Sequence, residues 1–158
     1  MEALAKRVGE RLEAGREVLV TAESCTGGWA AQAVTAVTGS SAWFDRGFIT
    51  YSNAAKQEVL GVRPETLRQH GAVSEETARE MARGALERSA ATIALSITGV
   101  AGPGGGSAGK PVGTVCFAWS RGAEVHSETH RFAGDRESVR RQSVILALEG
   151  VLSLLEAS

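Results

Sequence analysis

The chain has 158 residues, and its 17 lysines and arginines against 18 aspartates and glutamates give a formal net charge of -1. A chain of this size fits one domain, residues 1–158, and a charge near zero excludes the broad basic surface of most nucleic-acid-binding proteins. Two cysteines are too few for a disulfide framework, and no apolar run approaches the ~18 residues of a membrane span, so we expect a cytoplasmic protein with reduced thiols and no nucleic-acid or membrane partner.

The spacing of apolar residues predicts alternating helices and strands along the chain. Leu4, Val8 and Leu12 recur every four residues, as on the buried face of an amphipathic helix. Residues 92–98 form a mostly apolar run of strand length, typical of a central strand, whereas residues 124–132 are polar enough for an edge strand. We predict helix boundaries near Gly15, Thr26, Val37, Ser52 or Asn53, Pro64, His70, Ser74 and Asp135, and strands near residues 17–21, 47–51, 92–98, 113–119 and 124–132.

This alternation of strands and helices predicts the α/β fold class. We expect a three-layer α/β/α sandwich with a mixed, mostly parallel sheet of about five strands, because the short segment 121–123 joins the last two strands as a hairpin. In such sheets, ligands bind beyond the carboxyl ends of the strands. The residues that follow each predicted strand are therefore the first candidates for a functional site.

The segment 21–28, Thr-Ala-Glu-Ser-Cys-Thr-Gly-Gly, places a hydroxyl, a thiol and two glycines between the first strand and the next helix. Ser24 falls near the carboxyl end of that strand, where N–H groups around Thr26 and Gly27 can stabilise an oxyanion. A serine before a helix is also common as a helix cap without any catalytic role. Both interpretations of Ser24 are compatible with this segment alone.

Lys56 lies in the first two turns of the helix that follows the second strand. If the two strand-to-helix junctions are neighbours at one edge of the sheet, a neutral Lys56 can accept the proton of Ser24, as in serine/lysine hydrolases. Burial and a nearby helix N-terminus would both lower the pKa of this lysine. The alternative is an ordinary lysine with its ammonium group in solvent.

Three other patterns in the sequence are candidates for functional sites. Residues 104–110 fit G-x-x-x-x-G-K, but proline and then a strand follow where a phosphate-binding loop needs a hydroxyl and a helix, so the glycines can at most bind a single phosphate. Cys25 is an alternative nucleophile, although a lone cysteine beside a helix is more often a small apolar residue. His126, Glu128 and His130 share one face of a polar strand, which indicates a solvated face more than a metal site.

Five segments of the chain form a recognisable set. They are residues 21–28, 47–53 together with Lys56, 70–74, 99–103 and 110–114, which span nearly all of the sequence. This set resembles the CinA C-terminal domain family of competence/damage-inducible proteins, in the stand-alone form of the nicotinamide mononucleotide amidohydrolases. The resemblance implies hydrolysis of the carboxamide of nicotinamide mononucleotide to nicotinate mononucleotide and ammonia, within pyridine nucleotide salvage and without a cofactor or metal.

The resemblance also implies roles for single residues. Ser24 matches the nucleophile and Lys56 the general base, and Tyr51 is a helper that orients or polarises one of them. We assign the substrate contacts by chemistry, since a glycine-rich loop and arginines at a helix start both fit a phosphate. The expected substrate-binding residues are Cys25, Thr26, Gly27, Gly99, Ala101, Gly102, Gly105, Gly106, Ser107, Arg136 and Arg140.

The sequence is also compatible with two alternative functions, and it suggests one oligomeric state. A catalytically inert nucleotide-binding regulatory module of the CinA type would bind the small-molecule nucleotide without hydrolysing it. A cysteine hydrolase would use Cys25 in place of Ser24. We further expect a homodimer, because Trp29, Trp43 and Phe44 are large apolar residues able to contact a second copy of the chain.

Overall fold

The computed structural model describes residues 1–157, which form six α-helices, one short 3-10 helix and five β-strands. The helices are α1 (Glu2–Ala14), α2 (Trp29–Thr35), α3 (Asn53–Leu60), α4 (Pro64–His70), α5 (Glu75–Glu87) and α6 (Arg136–Glu156), and the 3-10 helix is Ser40–Ala42. The strands are β1 (Leu19–Glu23), β2 (Phe44–Ile49), β3 (Ile93–Gly99), β4 (Thr114–Arg121) and β5 (Glu124–Arg131). Within these residues, no helix is both long enough and apolar enough to cross a membrane.

The five strands form a mixed sheet in the order β2-β1-β3-β4-β5. Strand β1 pairs in parallel with β2 and β3, while β4 runs antiparallel to both β3 and β5. Helices α1, α2 and α6 pack on one face of the sheet, and α3 and α5 pack on the other. The three-layer α/β/α prediction is confirmed, with the apolar strand β3 at the centre and the polar strand β5 at an edge.

Strand β1 begins two residues later than the sequence predicts. It covers Leu19–Glu23 instead of 17–21, because the main chain of Glu17 still closes the end of α1, its N–H donating to the carbonyl of Leu12 at 2.8 Å. The whole strand is buried. As a result, Ser24 follows directly after the last residue of β1, at the carboxyl edge of the sheet.

Helix α2 is also shorter than predicted. It covers Trp29–Thr35 instead of 26–37, because Gly27 and Gly28 have left-handed φ angles of 60° and 105°, which are incompatible with an α-helical turn. The four residues 25–28 therefore form a turn between Ser24 and the helix.

Helix α3, which carries Lys56, is fixed by a close contact with α5. A Cβ added at Gly84 would lie 1.9 Å from the carbonyl oxygen of Leu60, so only glycine permits this approach. Of the two predicted N-cap residues, Ser52 and Asn53, the structure has Ser52 at the N-cap of α3. Its Oγ accepts a hydrogen bond from the N–H of Ala55 at 3.0 Å. These contacts set the direction in which Lys56 enters the protein.

The large apolar residues that suggested a dimer are part of the core. Trp43 is only 2% exposed and packs on α1, where a Cβ added at Gly9 would lie 2.5 Å from its ring. Trp29 and Phe44 are half-buried and pack against the same core. The use of Trp43 as a contact for a second copy was therefore wrong, and the homodimer stays a prediction without this support.

Candidate active site

The carboxyl ends of β1, β2 and β3 meet at one edge of the sheet, because these three strands are parallel neighbours. A pocket of about 290 Å³ opens there, between the residues that follow each strand. It is lined by Ser24, Cys25, Tyr51, Asn53, Lys56, Ala72, Val73, Thr98, Gly99, Val100, Ala101, Gly102, Gly104, Gly105 and Arg136. The first strand-to-helix junction and the second therefore contribute to the same pocket.

Ser24 is held in place by its main chain. Its N–H donates to the carbonyl of Ile97 on β3 at 2.9 Å, and its carbonyl accepts from the N–H of Gly27 at 3.0 Å. Only 7% of the residue is exposed, on the side that lines the pocket. Because the N–H of Gly27 is already bonded, Gly27 is not the oxyanion donor that the sequence suggested, whereas the N–H of Thr26 has no acceptor among residues 1–157.

Glu23 is a functional residue that the sequence analysis missed. Its fully buried carboxylate accepts hydrogen bonds from the hydroxyl of Thr26 at 2.6 Å and from the N–H groups of Ala30 and Ala31 at 2.8 and 3.1 Å. Glu23 therefore caps the start of α2, so Ser24 is not needed as the cap and its hydroxyl is left for the pocket. Glu23 lies six residues before Trp29, the first residue of α2, so no local capping pattern in the sequence marks this role.

Lys56 reaches the nucleophile candidate from α3. Its Nζ lies 3.0 Å from Ser24 Oγ, 2.9 Å from the carbonyl oxygen of Thr50 and 3.4 Å from that of Tyr51. The residue is 1% exposed, although it is a lysine. Lysines are almost never buried to this extent without a specific role, so the alternative of a solvated ammonium group was wrong.

The surroundings of Lys56 favour the neutral amine. Burial lowers the pKa of Lys56 from its ordinary value, and the neighbouring Cys25 opposes this effect only in part. A neutral amine has two N–H donors and one lone pair. The two donors match the carbonyl oxygens of Thr50 and Tyr51, so the lone pair is left for the hydroxyl proton of Ser24.

Cys25 lies beside Ser24 but has the wrong environment for a nucleophile. It is 7% exposed, and burial raises the pKa of its thiol to about 11. None of the three histidines of the chain lines the pocket, so no imidazole can take the thiol proton. The geometry thus favours Ser24 over Cys25.

Tyr51 stands at the mouth of the pocket and is 63% exposed. Its hydroxyl accepts a hydrogen bond from Nη2 of Arg136 at 3.3 Å, and only its main-chain carbonyl faces Lys56. The side chain of Tyr51 therefore does not orient Ser24 or Lys56 directly in this structure. It is placed to contact the part of a substrate that lies farther out.

Arg136 is the cationic group that faces the pocket. It lies at the start of α6, where the Asp135 carboxylate caps the helix by accepting from the N–H of Ser138 at 2.9 Å. Its Nη1 donates to the carbonyl of Gly102 at 2.9 Å, and it forms no ion pair within residues 1–157. Its charge is therefore available to an anionic ligand.

The structure brings some of the expected substrate-binding residues together and excludes others from the lining. Ser107 closes an exposed turn with Lys110, and Arg140 packs on the outer side of the turn after Ser24. Those that line the pocket are Cys25, Gly99, Ala101, Gly102, Gly105 and Arg136, and those that do not are Thr26, Gly27, Gly106, Ser107 and Arg140. The pocket is also lined by six residues that were not predicted as site residues. They are Asn53, Ala72, Val73, Thr98, Val100 and Gly104, and all of them lie within or next to the segments that carry the family resemblance.

A metal site finds no support in the described part of the chain. No three acidic, histidine or cysteine side chains are grouped closely enough there to hold an ion. On β5, the carboxylate of Glu128 bridges His126 and His130, with Oε2 and Oε1 at 2.8 and 2.7 Å from their Nε2 atoms. The carboxylate of Glu128 thus bonds to both imidazole rings.

Comparison with known proteins identifies the family of this chain. The sequence model of the CinA C-terminal domain matches residues 1–155. The chain belongs to the CinA C-terminal domain family. Within this family, it is 55% identical over 151 residues to the nicotinamide-nucleotide amidohydrolase PncC of Pseudomonas putida, covering 96% of this chain and 94% of that protein. It is also 55% identical over 148 residues to PncC of Escherichia coli strain K12, covering 92% of this chain and 89% of that protein.

Solved structures of CinA proteins share the whole fold. The crystal structure of the competence/damage-inducible protein CihA from Agrobacterium tumefaciens superposes with a TM-score of 0.95 at 48% identity, covering 97% of this chain and 94% of that one. A CinA superfamily protein from Klebsiella pneumoniae has a TM-score of 0.96 at 43% identity, covering 99% and 98% of the two chains. The family resemblance stated from the sequence is therefore confirmed.

Proposed function

We propose that this CinA-family protein hydrolyses the carboxamide of nicotinamide mononucleotide to nicotinate mononucleotide and ammonia. The observation that carries the proposal is the 3.0 Å contact between Nζ of Lys56 and Oγ of Ser24 in a buried position. The PncC relatives, named as nicotinamide-nucleotide amidohydrolases, supply the substrate. The unpaired charge of Arg136 across the same pocket fits the phosphate of a mononucleotide.

In the first half-reaction, Ser24 Oγ attacks the carboxamide carbon while Nζ of Lys56 takes the hydroxyl proton. The π electrons of the C=O bond move to its oxygen, and the N–H of Cys25, a pocket-lining residue whose N–H has no acceptor among residues 1–157, stabilises the resulting oxyanion. Lys56 then returns its proton to the nitrogen of the substrate. The C–N bond breaks, ammonia leaves, and a nicotinoyl ester remains on Ser24.

In the second half-reaction, a water molecule attacks the ester carbon, and Lys56 accepts one of its protons. The tetrahedral intermediate collapses, the bond to Ser24 Oγ breaks, and Lys56 gives the proton back to the serine oxygen. Nicotinate mononucleotide is released, and Ser24 and Lys56 return to their starting states. The residues described here carry every proton in this cycle, so the proposed mechanism uses no cofactor.

The setting of the reaction is part of the proposal. We place it in the cytoplasm, with the chain 1–158 as one amidohydrolase domain and a small-molecule nucleotide as its partner. We expect a homodimer, and no nucleic-acid or membrane partner. Pyridine nucleotide salvage is the metabolic role that this reaction would serve.

The test is release of ammonia from nicotinamide mononucleotide by the purified protein and by its Ser24→Ala variant. We expect the wild type to release one ammonia per nicotinate mononucleotide and the variant to release none above background. The control is Ser41→Ala, which removes an exposed hydroxyl outside the pocket and leaves turnover unchanged. Undiminished turnover by Ser24→Ala would overturn the serine mechanism. Tight binding of the nucleotide by calorimetry without ammonia release from the wild type would favour the inert regulatory module.

A further inference from the structure

Arg140 lies on α6 and contacts the main chain of the turn after Ser24 from the side away from the pocket. Its Nε donates to the carbonyl of Cys25 at 3.0 Å, and its Nη2 donates to the carbonyl of Thr26 at 3.1 Å. The guanidinium also lies over the ring of Trp29, 5.6 Å from its centroid. One rigid, planar group thus fixes two consecutive peptide units.

These two peptide units contain the N–H groups of Thr26 and Gly27 and directly follow the N–H of Cys25, the residue next to the nucleophile. In a trans peptide, the carbonyl and the N–H of the next residue point in opposite directions. A donor that holds the carbonyl of Cys25 therefore turns the N–H of Thr26 away from Arg140. That N–H has no acceptor among residues 1–157, although Thr26 is fully buried.

An unbonded N–H in a buried residue destabilises the folded protein unless another state of the protein uses it. The carboxylate of Glu23 occupies the hydroxyl of Thr26, and the N–H of Gly27 is bonded to Ser24, so neither of these donors is available to a substrate. The N–H of Cys25 also has no acceptor among residues 1–157, and Cys25 lines the pocket whereas Thr26 does not, so the N–H of Cys25 is left as the donor for an oxyanion. The hydrogen bond from Arg140 to the carbonyl of Cys25 fixes the main chain of the residue that carries this N–H.

We propose that Arg140 is a positioning residue for the turn that carries the oxyanion-binding N–H of Cys25. The inference rests on the proposed function, because it takes Ser24 as the nucleophile. It replaces our assignment of Arg140 to substrate binding: Arg140 does not line the pocket, and its donors are directed to main-chain carbonyls. Arg140 acts through the turn and does not contact the substrate.

The experiment compares Arg140→Met and Arg140→Lys with the matched control Arg141→Met. Methionine keeps an unbranched apolar stem on Trp29 but loses both hydrogen bonds, and lysine keeps the charge but cannot bond two carbonyls in a fixed plane. Arg141 packs over the same ring at 5.2 Å and, among residues 1–157, hydrogen-bonds only to Glu137. It reports the effect of losing an arginine over Trp29 without disturbing the turn.

Two readouts separate a positioning role from a structural or substrate-binding role. The first is the division of the effect between kcat and KM for nicotinamide mononucleotide. The second is the affinity for an analogue in which an aldehyde replaces the carboxamide, compared with the affinity for nicotinate mononucleotide. Addition of the Ser24 hydroxyl to the aldehyde gives a hemiacetal whose oxygen occupies the oxyanion position, whereas the product needs no oxyanion donor.

We expect Arg140→Met to lower kcat and the affinity for the aldehyde by about 10- to 100-fold, less than the loss of an oxyanion donor itself, with KM and product affinity changed by less than about threefold. Arg140→Lys falls between this variant and the wild type, and Arg141→Met matches the wild type. Equal weakening of aldehyde and product would assign Arg140 to substrate binding and overturn the proposal. A lower melting temperature with unchanged kcat and aldehyde affinity would also overturn it. A wild type that releases no ammonia would instead refute the proposed function and this inference with it.

Discussion

The turn after β1 and the glycine-rich loop after β3 both reach the pocket, but they are built differently. In the turn, residues 24–28, Arg140 holds two main-chain carbonyls, and Glu23 bonds to the hydroxyl of Thr26 and to the N–H groups at the start of α2. In the loop, residues 103–109 are exposed, and a Cβ added at Gly104 would touch nothing within 4 Å. The reacting groups of the proposed mechanism therefore lie in a segment that many contacts hold rigid. The groups proposed to bind the rest of the substrate lie beside an exposed loop with few contacts.

The largest effect should come from removing the base beside the turn. We expect Lys56→Arg to lower kcat for nicotinamide mononucleotide by about 10³-fold or more, because a guanidinium stays protonated and cannot accept the Ser24 proton. Steady-state ammonia release measures this. The control is Lys6→Arg on the exposed side of α1, which should match the wild type. A Lys56→Arg enzyme within tenfold of the wild type would show that the base lies elsewhere.

A smaller effect, on KM and not on kcat, should come from Arg136, on the side of the pocket that the glycine-rich loop forms. Arg136→Met removes the charge that bonds to Gly102, and we expect KM for nicotinamide mononucleotide to rise about 10- to 100-fold with kcat changed little. Hydrolysis of nicotinamide riboside, which has no phosphate, should be nearly unaffected. If both substrates lose the same factor, or if kcat falls instead of KM rising, Arg136 does not bind the phosphate.

The smallest effect on kcat/KM should come from Glu23, the second residue that supports the turn. Glu23→Gln places an amide against the N–H groups of Ala30 and Ala31, so we expect the free energy of unfolding to fall by about 2 kcal/mol and kcat to fall about tenfold. Urea denaturation and ammonia release measure the two quantities.

The matched control is Glu80→Gln, since Glu80 likewise accepts from a main-chain N–H and a threonine hydroxyl, those of Arg63 and Thr66, but far from the pocket. It should lose similar stability and keep its kcat. Equal losses of kcat in the two variants would mean that general destabilisation, and not the turn, controls the rate.

Much of the fold could be predicted from the sequence because local signals agree with one another. The apolar run at residues 92–98 predicts a central strand, and the caps Ser74 and Asp135 mark the starts of two helices that the structure contains. The same topology places the ends of parallel strands together, which is why Ser24 and Lys56 could be considered as a pair. Their separation of 3.0 Å is a property of the folded structure.

The details that complete the site could not be predicted, because they depend on where side chains point in three dimensions. Glu23 reads as a polar residue at a strand end, and only the folded turn directs its carboxylate to the start of α2. Arg140 fits a phosphate by charge, but α6 brings it to the back of the turn. Gly27 offers an N–H in sequence, and a local hydrogen bond to Ser24 consumes it.

The central claim is that Lys56 is an uncharged amine when it meets Ser24. Titration of the Lys56 side chain by NMR, with the signal assigned from the Lys56→Met variant, measures this directly. We predict a pKa below the ordinary lysine value of about 10.4, because burial disfavours the ammonium form, and a kcat/KM that rises with pH through the same pKa. A Lys56 that titrates at or above the ordinary value, with kcat/KM that does not rise through its pKa, would contradict the account.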